Sequence, residues 1–226
     1  MNRKIMRNSL QLLVRLKRPV VSTAATIALA VLFAASCGGA RPSKYYQLTV
    51  PPNTVTNAAS GSSPYPWTLL IGRITAPELY REDPIVYSST GEAMGTYEYH
   101  RWAEPPTQMI PEILLRELRA TGHLKAVNLL RSDIHGDFLL HGHLYDFKEV
   151  NSGSRVARVT LELELRNIKT ATVVWTHFYS HDEPVDGKEV DSIVSALDKN
   201  LQRGVMEFRA SLDEYFAAHP PAQSAP

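Results

Sequence analysis

Between Ala157 and Arg166 the chain alternates without a break: Ala157, Val159, Leu161, Leu163 and Leu165 are apolar, and Arg158, Thr160, Glu162, Glu164 and Arg166 are polar. Strand side chains point to opposite faces in turn, so period two predicts a strand over 155–168 with one dry face and one wet face. Such a sheet needs a cover on one side only. The cover is legible further on. From about Lys188 to Ala217, the residues Val190, Ile193, Val194, Leu197, Leu201, Val205, Phe208, Leu212 and Tyr215 recur at helical spacing and form one apolar stripe. Asp186, with Glu189 three residues on, fits a capping arrangement. His219-Pro220-Pro221 ends the helix, and residues 220–226 are expected to be a disordered tail.

The remaining elements follow the same logic. Tyr45 to Val50 reads as a first strand, Asn53 to Pro66 as an Asn/Ser/Gly/Pro loop, and Trp67 to Thr75 as a second strand. Shorter strands are predicted over 84–88 and 96–102. A helix is predicted over 109–121, with Ile110, Ile113, Leu114 and Leu118 on one face, Pro111 in its first turn and Gly122 as its stop. Strands over 126–130, 138–150 and 172–180 complete the list. The expected fold is α+β: a single domain over 45–219, a mostly antiparallel sheet with two helices packed on one face.

The N-terminus places this domain. Arg3, Lys4, Arg7, Arg15, Lys17 and Arg18 precede the apolar run Val20 to Ala35, which leads through Ala34, Ala35 and Ser36 to Cys37, the sole cysteine. A basic run, a core of about 16 apolar residues and small residues before a cut make a secretory signal, too short for the roughly 20 residues of a spanning helix. The Ala-Ala-Ser-Cys end resembles the lipobox of bacterial lipoproteins, with Ala34 where leucine is usual. That resemblance implies a signal peptide over 1–36, a diacylglyceryl group and an N-acyl chain on Cys37, and a tether over 37–44. Two or more acyl chains anchor stably. In the same class an aspartate after the cysteine marks inner-membrane retention; Gly38 stands there, which implies the periplasmic face of the outer membrane.

Without the signal, 18 basic residues face 23 acidic ones, a net charge near −5. Nucleic-acid binding needs a positive surface, so no nucleic-acid partner is expected. Catalytic signatures are equally thin. His141 and His143 share a strand face with His135 nearby, yet no third and fourth ligand at zinc spacing accompany them. Glu162 and Glu164 on an alternating strand read as solvated. No nucleophile elbow, phosphate loop or dinucleotide fingerprint is present. The residues point to no enzyme, no cofactor and no metal. Tyr80, Arg101, Trp102 and Glu104 lie in two motifs of interface-rich composition, Pro77-Glu78-Leu79-Tyr80-Arg81 and Arg101-Trp102-Ala103-Glu104-Pro105-Pro106, and are the candidate partner contacts. Packing of Trp102 beneath the first helix is the competing reading.

The order of these motifs resembles the ABC-type transport auxiliary lipoproteins, the PqiC-like family. The elements are Tyr45-Tyr46-x-Leu48 after the cysteine, then Pro77, Tyr80, Pro84 and Val86, then Trp102-Ala103-Glu104-Pro105, and a long final helix. Tyr80 stands where leucine is more usual, Glu78 replaces an apolar residue, and Glu82 and Asp83 interrupt a common arginine-proline pair. The resemblance implies a non-enzymatic component of an ABC system, with an MCE-family periplasmic protein and its ABC transporter as partners, moving phospholipid or another hydrophobic substrate. Oligomeric state stays open, homo-oligomers included. An assembly factor for an outer-membrane barrel and a lipopolysaccharide-export component are the alternatives, followed by a metal-dependent enzyme using His135, His141 and His143.

Overall fold

The alternating segment is strand β7, Arg155–Asn167, and its five apolar residues are all buried while Glu162 and Glu164 keep access to solvent. A computed structural model describes residues 41–49, 65–90, 92–131 and 133–220, so the expected signal peptide, Cys37, the tail beyond 220 and all but the last two residues of the loop expected over 53–66 lie outside the described residues; Tyr65 and Pro66 open β2 instead. The elements in order are β1 (Lys44–Tyr46), β2 (Tyr65–Thr75), α1 (Glu78–Arg81), β3 (Pro84–Ser88), β4 (Met94–Trp102), α2 (Pro106–Thr121), β5 (Leu124–Leu129), β6 (Phe138–Asn151), β7, β8 (Val173–Pro184) and α3 (Val190–Ala218).

All eight strands of the described residues belong to one sheet, built on β6. One edge of β6 pairs antiparallel with β7 along its whole length, and β7 pairs antiparallel with β8. These two long ladders make the sheet mostly antiparallel, as expected. The other edge of β6 is shared by two parallel strands, β2 along Phe138–His143 and β3 along Lys148–Val150. The sheet therefore forks. One branch continues from β2 to β5, and the other from β3 through β4 to β1.

The chain leaves the β6 edge after Thr75, makes the single turn α1, and rejoins it at Val86. Period-two patterning does not reveal this detour, and α1 is absent from the sequence reading. Its anchor is Tyr80, 1 % exposed, whose hydroxyl donates to Met94 Sδ at 3.7 Å. Burial, and then the charge of Asp146, push this hydroxyl up to about 12.

Helices α2 and α3 cover one face and share a single core with the sheet. Helix α2 starts three residues before its expected start. Pro106 takes a first-turn position, where a missing N–H costs nothing, and Pro111 falls inside the helix. Its end is as expected: Gly122 adopts φ 65°, and its N–H donates to Arg119 O.

The expected Asp186–Glu189 cap does not form. Glu189 is the N-cap residue of α3 and its side chain makes no capping bond. The apolar stripe of α3 holds one polar member that its periodicity conceals. Asn200 is fully buried, donates to Ala157 O at 2.9 Å and His181 O at 2.8 Å, and accepts from the Tyr179 hydroxyl at 2.6 Å. Four residues on, Gly204 makes room for the Tyr179 ring; a Cβ there would sit 2.9 Å from it. Close approach and a satisfied polar group fix α3 on β8 together.

Candidate functional site

Strand β1 is the first element of the described chain, and it is strapped to the start of α3. Lys44 Nζ lies 2.7 Å from both carboxylate oxygens of Asp191, which sits in the first turn of α3 where a negative charge is favoured. The Tyr46 hydroxyl donates to the same carboxylate at 2.6 Å and lies 2.8 Å from His100 Nδ1. Hydrogen bonds from Lys44, then from Tyr46, hold the Asp191 carboxyl below the usual carboxylate range.

Beyond β1 the strap continues. Thr49 N–H donates to Asp198 Oδ1 at 2.9 Å, Gln202 Nε2 donates to Thr49 O at 2.8 Å, and Leu48 is buried between them. The Tyr-Tyr-x-Leu signature thus has a physical meaning. Tyr46 and Leu48, two apart, face the core side, while Tyr45 is 62 % exposed.

The four candidate contacts do not form one surface. Trp102 is 1 % exposed, with its ring 5.5 Å from Phe147 and its backbone N–H donating to Asp83 O at 2.7 Å. Next to it, Ala103 N–H donates to Tyr46 O at 2.6 Å. Trp102 therefore pins the corner between β4 and α2 to β6, and the rings of both Trp102 and Tyr80 are buried. Arg101 Nη1 meets Asp83 Oδ1 at 2.8 Å and is partly accessible; Glu104 is exposed. The Trp-Ala-x-Pro element is a folding corner.

His141 and His143 share the wet face of β6, as expected, and each has an ordinary neighbour. His141 Nε2 lies 3.7 Å from Glu164, and His143 Nδ1 lies 2.8 Å from Thr75 Oγ1 with its ring edge-on to Tyr145. His135 is exposed. Among the described residues, no group of three or more His, Cys, Asp or Glu is placed to hold a metal ion, and no helix is long and apolar enough to cross a membrane.

Two buried carboxylates carry no signal in the sequence, because periodicity does not show which charged side chain of a strand is enclosed by cations brought to it in the fold. Glu149 accepts from Tyr97 Oη and Arg155 Nε, both at 2.5 Å. Glu183, 5 % exposed, is met by Lys199 and by Arg203 Nη2 at 2.8 Å, with His181 Nε2 at 3.7 Å. The hydrogen bond from Lys199, joined by the Arg203 charge, holds the Glu183 carboxyl below its ordinary value. A depressed carboxylate stabilises the fold above its unfolded value and loses that contribution as pH falls through the folded one. Glu183→Gln is accordingly expected to lower the urea midpoint near neutral pH and to match the wild type once the carboxylate is protonated. A gap that persists in acid would contradict this.

The sequence matches the model of the family described as ABC-type transport auxiliary lipoprotein component over residues 46–207. The chain belongs to this family. No curated protein matches it. A crystal structure from Xanthomonas campestris, of the DUF330 family, is similar at 20 % identity and TM-score 0.62, covering 73 % of this chain and 92 % of that one. A second, of an uncharacterized protein, is similar at 14 % identity and TM-score 0.59, covering 76 % and 99 %. Both share the fold. The match to the auxiliary lipoprotein family begins at Tyr46, so the strapped strand lies at its start.

Proposed function

We propose that this auxiliary lipoprotein is a non-enzymatic docking component of an ABC system that moves phospholipid or another hydrophobic substrate. Acyl chains on Cys37 hold it at the periplasmic face of the outer membrane, where it receives the far end of an MCE-type conduit. The observation that carries this reading is the strap. The first described strand, β1, begins at Lys44, seven residues after Cys37, and a link of seven residues cannot span more than about 25 Å. A domain held that close to a bilayer meets a membrane-bound partner at high effective concentration. The acidic excess of the mature chain favours a basic partner surface and speeds the encounter.

Cys37→Ser removes the acyl acceptor and leaves every described contact intact. The variant is expected to move from the membrane pellet to the soluble fraction, while the wild type stays in the pellet through a high-salt wash. A Cys37→Ser protein that still sediments with membranes would contradict the anchor.

A further inference from the structure

We infer that the groove between the end of β5 and the first turns of α2 receives an extended, carboxylate-bearing peptide segment of a partner protein as an added strand. The inference assigns the proposed docking role to one surface and rests on that role. Strand β2 runs to Thr75, but its ladder with β5 stops at Ile71–Leu129, closed by Leu130 N–H donating to Ile71 O at 2.8 Å. From Gly72 to Thr75 no strand lies on that side of β2 among the described residues. The register against β6 also shifts between Ile71 and Ile74, and bulges of this kind collect where a sheet edge is used.

The space beside this short edge is a groove of about 690 Å³. Leu129, Leu130, Leu139 and Pro111 give it an apolar wall, and Leu130 is 50 % exposed. Arg73 is exposed at the edge itself, and among the described residues no ion pair or hydrogen bond engages its guanidinium. Glu112 stands on the α2 side of the same groove.

An extended peptide answers all three features. Its backbone extends the interrupted ladder, alternate side chains lie on the apolar wall, and a carboxylate pairs with Arg73 while a basic residue suits Glu112. A lipid chain would use the apolar wall alone and leave the strand edge without hydrogen bonds.

The test places p-benzoylphenylalanine at Leu130 in the full-length, membrane-anchored protein, in cells carrying the native transport system. The control position is Phe178, 59 % exposed on β8. After irradiation the adducts are mapped by tandem mass spectrometry. The expected result is an adduct from Leu130, and none from Phe178, to one acid-containing segment of an envelope transport protein. Arg73→Glu should reduce it about tenfold and Arg73→Lys should restore much of it, with unchanged thermal midpoints showing that both variants fold. An adduct to phospholipid, no adduct, or a protein adduct indifferent to Arg73→Glu would overturn the inference. Co-purification separates the two failures. If ABC subunits still accompany the Arg73→Glu protein at wild-type yield, the groove assignment is wrong and the docking role stands; if the wild type brings down none, the docking role itself fails.

Discussion

Trp102→Ala is expected to lower the free energy of unfolding by about 3–5 kcal/mol, the range for truncating a large buried aromatic. The ring is almost wholly enclosed, packs on Phe147, and sits where β4 turns into α2. Its neighbour Ala103 holds Tyr46 through a backbone hydrogen bond, so the loss should reach β1 and the strap as well. Urea denaturation reads the total, and hydrogen exchange at Tyr46 and Ala103 reads the local loosening. Trp102→Phe should recover part of the loss. A surface contact residue behaves differently: stability would change by less than about 0.5 kcal/mol while partner binding fell. That pattern would return Trp102 to the contact surface.

Arg155→Ala is the second large effect. It leaves the Glu149 carboxylate, 4 % exposed, with Tyr97 as its remaining hydrogen-bond partner. Stranding one member of a buried pair costs about 3–5 kcal/mol. Arg155 also donates from Nη1 to Gly187 O at 2.6 Å, joining the β6–β7 hairpin to the turn before α3. Burial, reinforced by the Glu149 carboxylate it donates to, already pushes the Tyr97 hydroxyl up to about 12. Adding Glu149→Gln to Arg155→Ala removes the stranded charge and should return much of the lost stability. A single-variant loss below about 1 kcal/mol, or a double variant no better than the single one, would show that the pair is not held as described.

Local periodicity carried much of the fold. The alternation in β7 and the stripe of α3 each state which face is buried, because period two and period 3.6 are properties of one segment read alone. The fork in the sheet is not such a property. The sequence separates 67–75 from 84–88, but that both strands pair with one edge of β6 depends on what β6 offers along its length, and the one-turn helix between them carries no periodic signal. Asn200 sits among apolar residues and is explained by carbonyls of Ala157 and His181 and by the Tyr179 hydroxyl, none of them close in sequence.

The candidate contacts show the same limit. Trp102 and Tyr80 have the composition of interface anchors, yet the same large amphipathic rings serve a core. Burial separates the two uses, and burial is a tertiary fact. The groove at Arg73 carries no sequence motif, since it exists because β5 ends before β2 does. The motif order, by contrast, was enough to reach the family, because Tyr46, Leu48, Trp102 and Pro105 hold fixed corners of the fold.

Affinity purification of the tagged, full-length protein from native membranes, with mass spectrometry of what accompanies it, tests whether this lipoprotein has the proposed docking role in a lipid-moving ABC system. The expected result is an MCE-family protein together with its ABC subunits, recovered from the wild type and depleted with Cys37→Ser. Recovery of an outer-membrane barrel with no MCE or ABC subunit would contradict it.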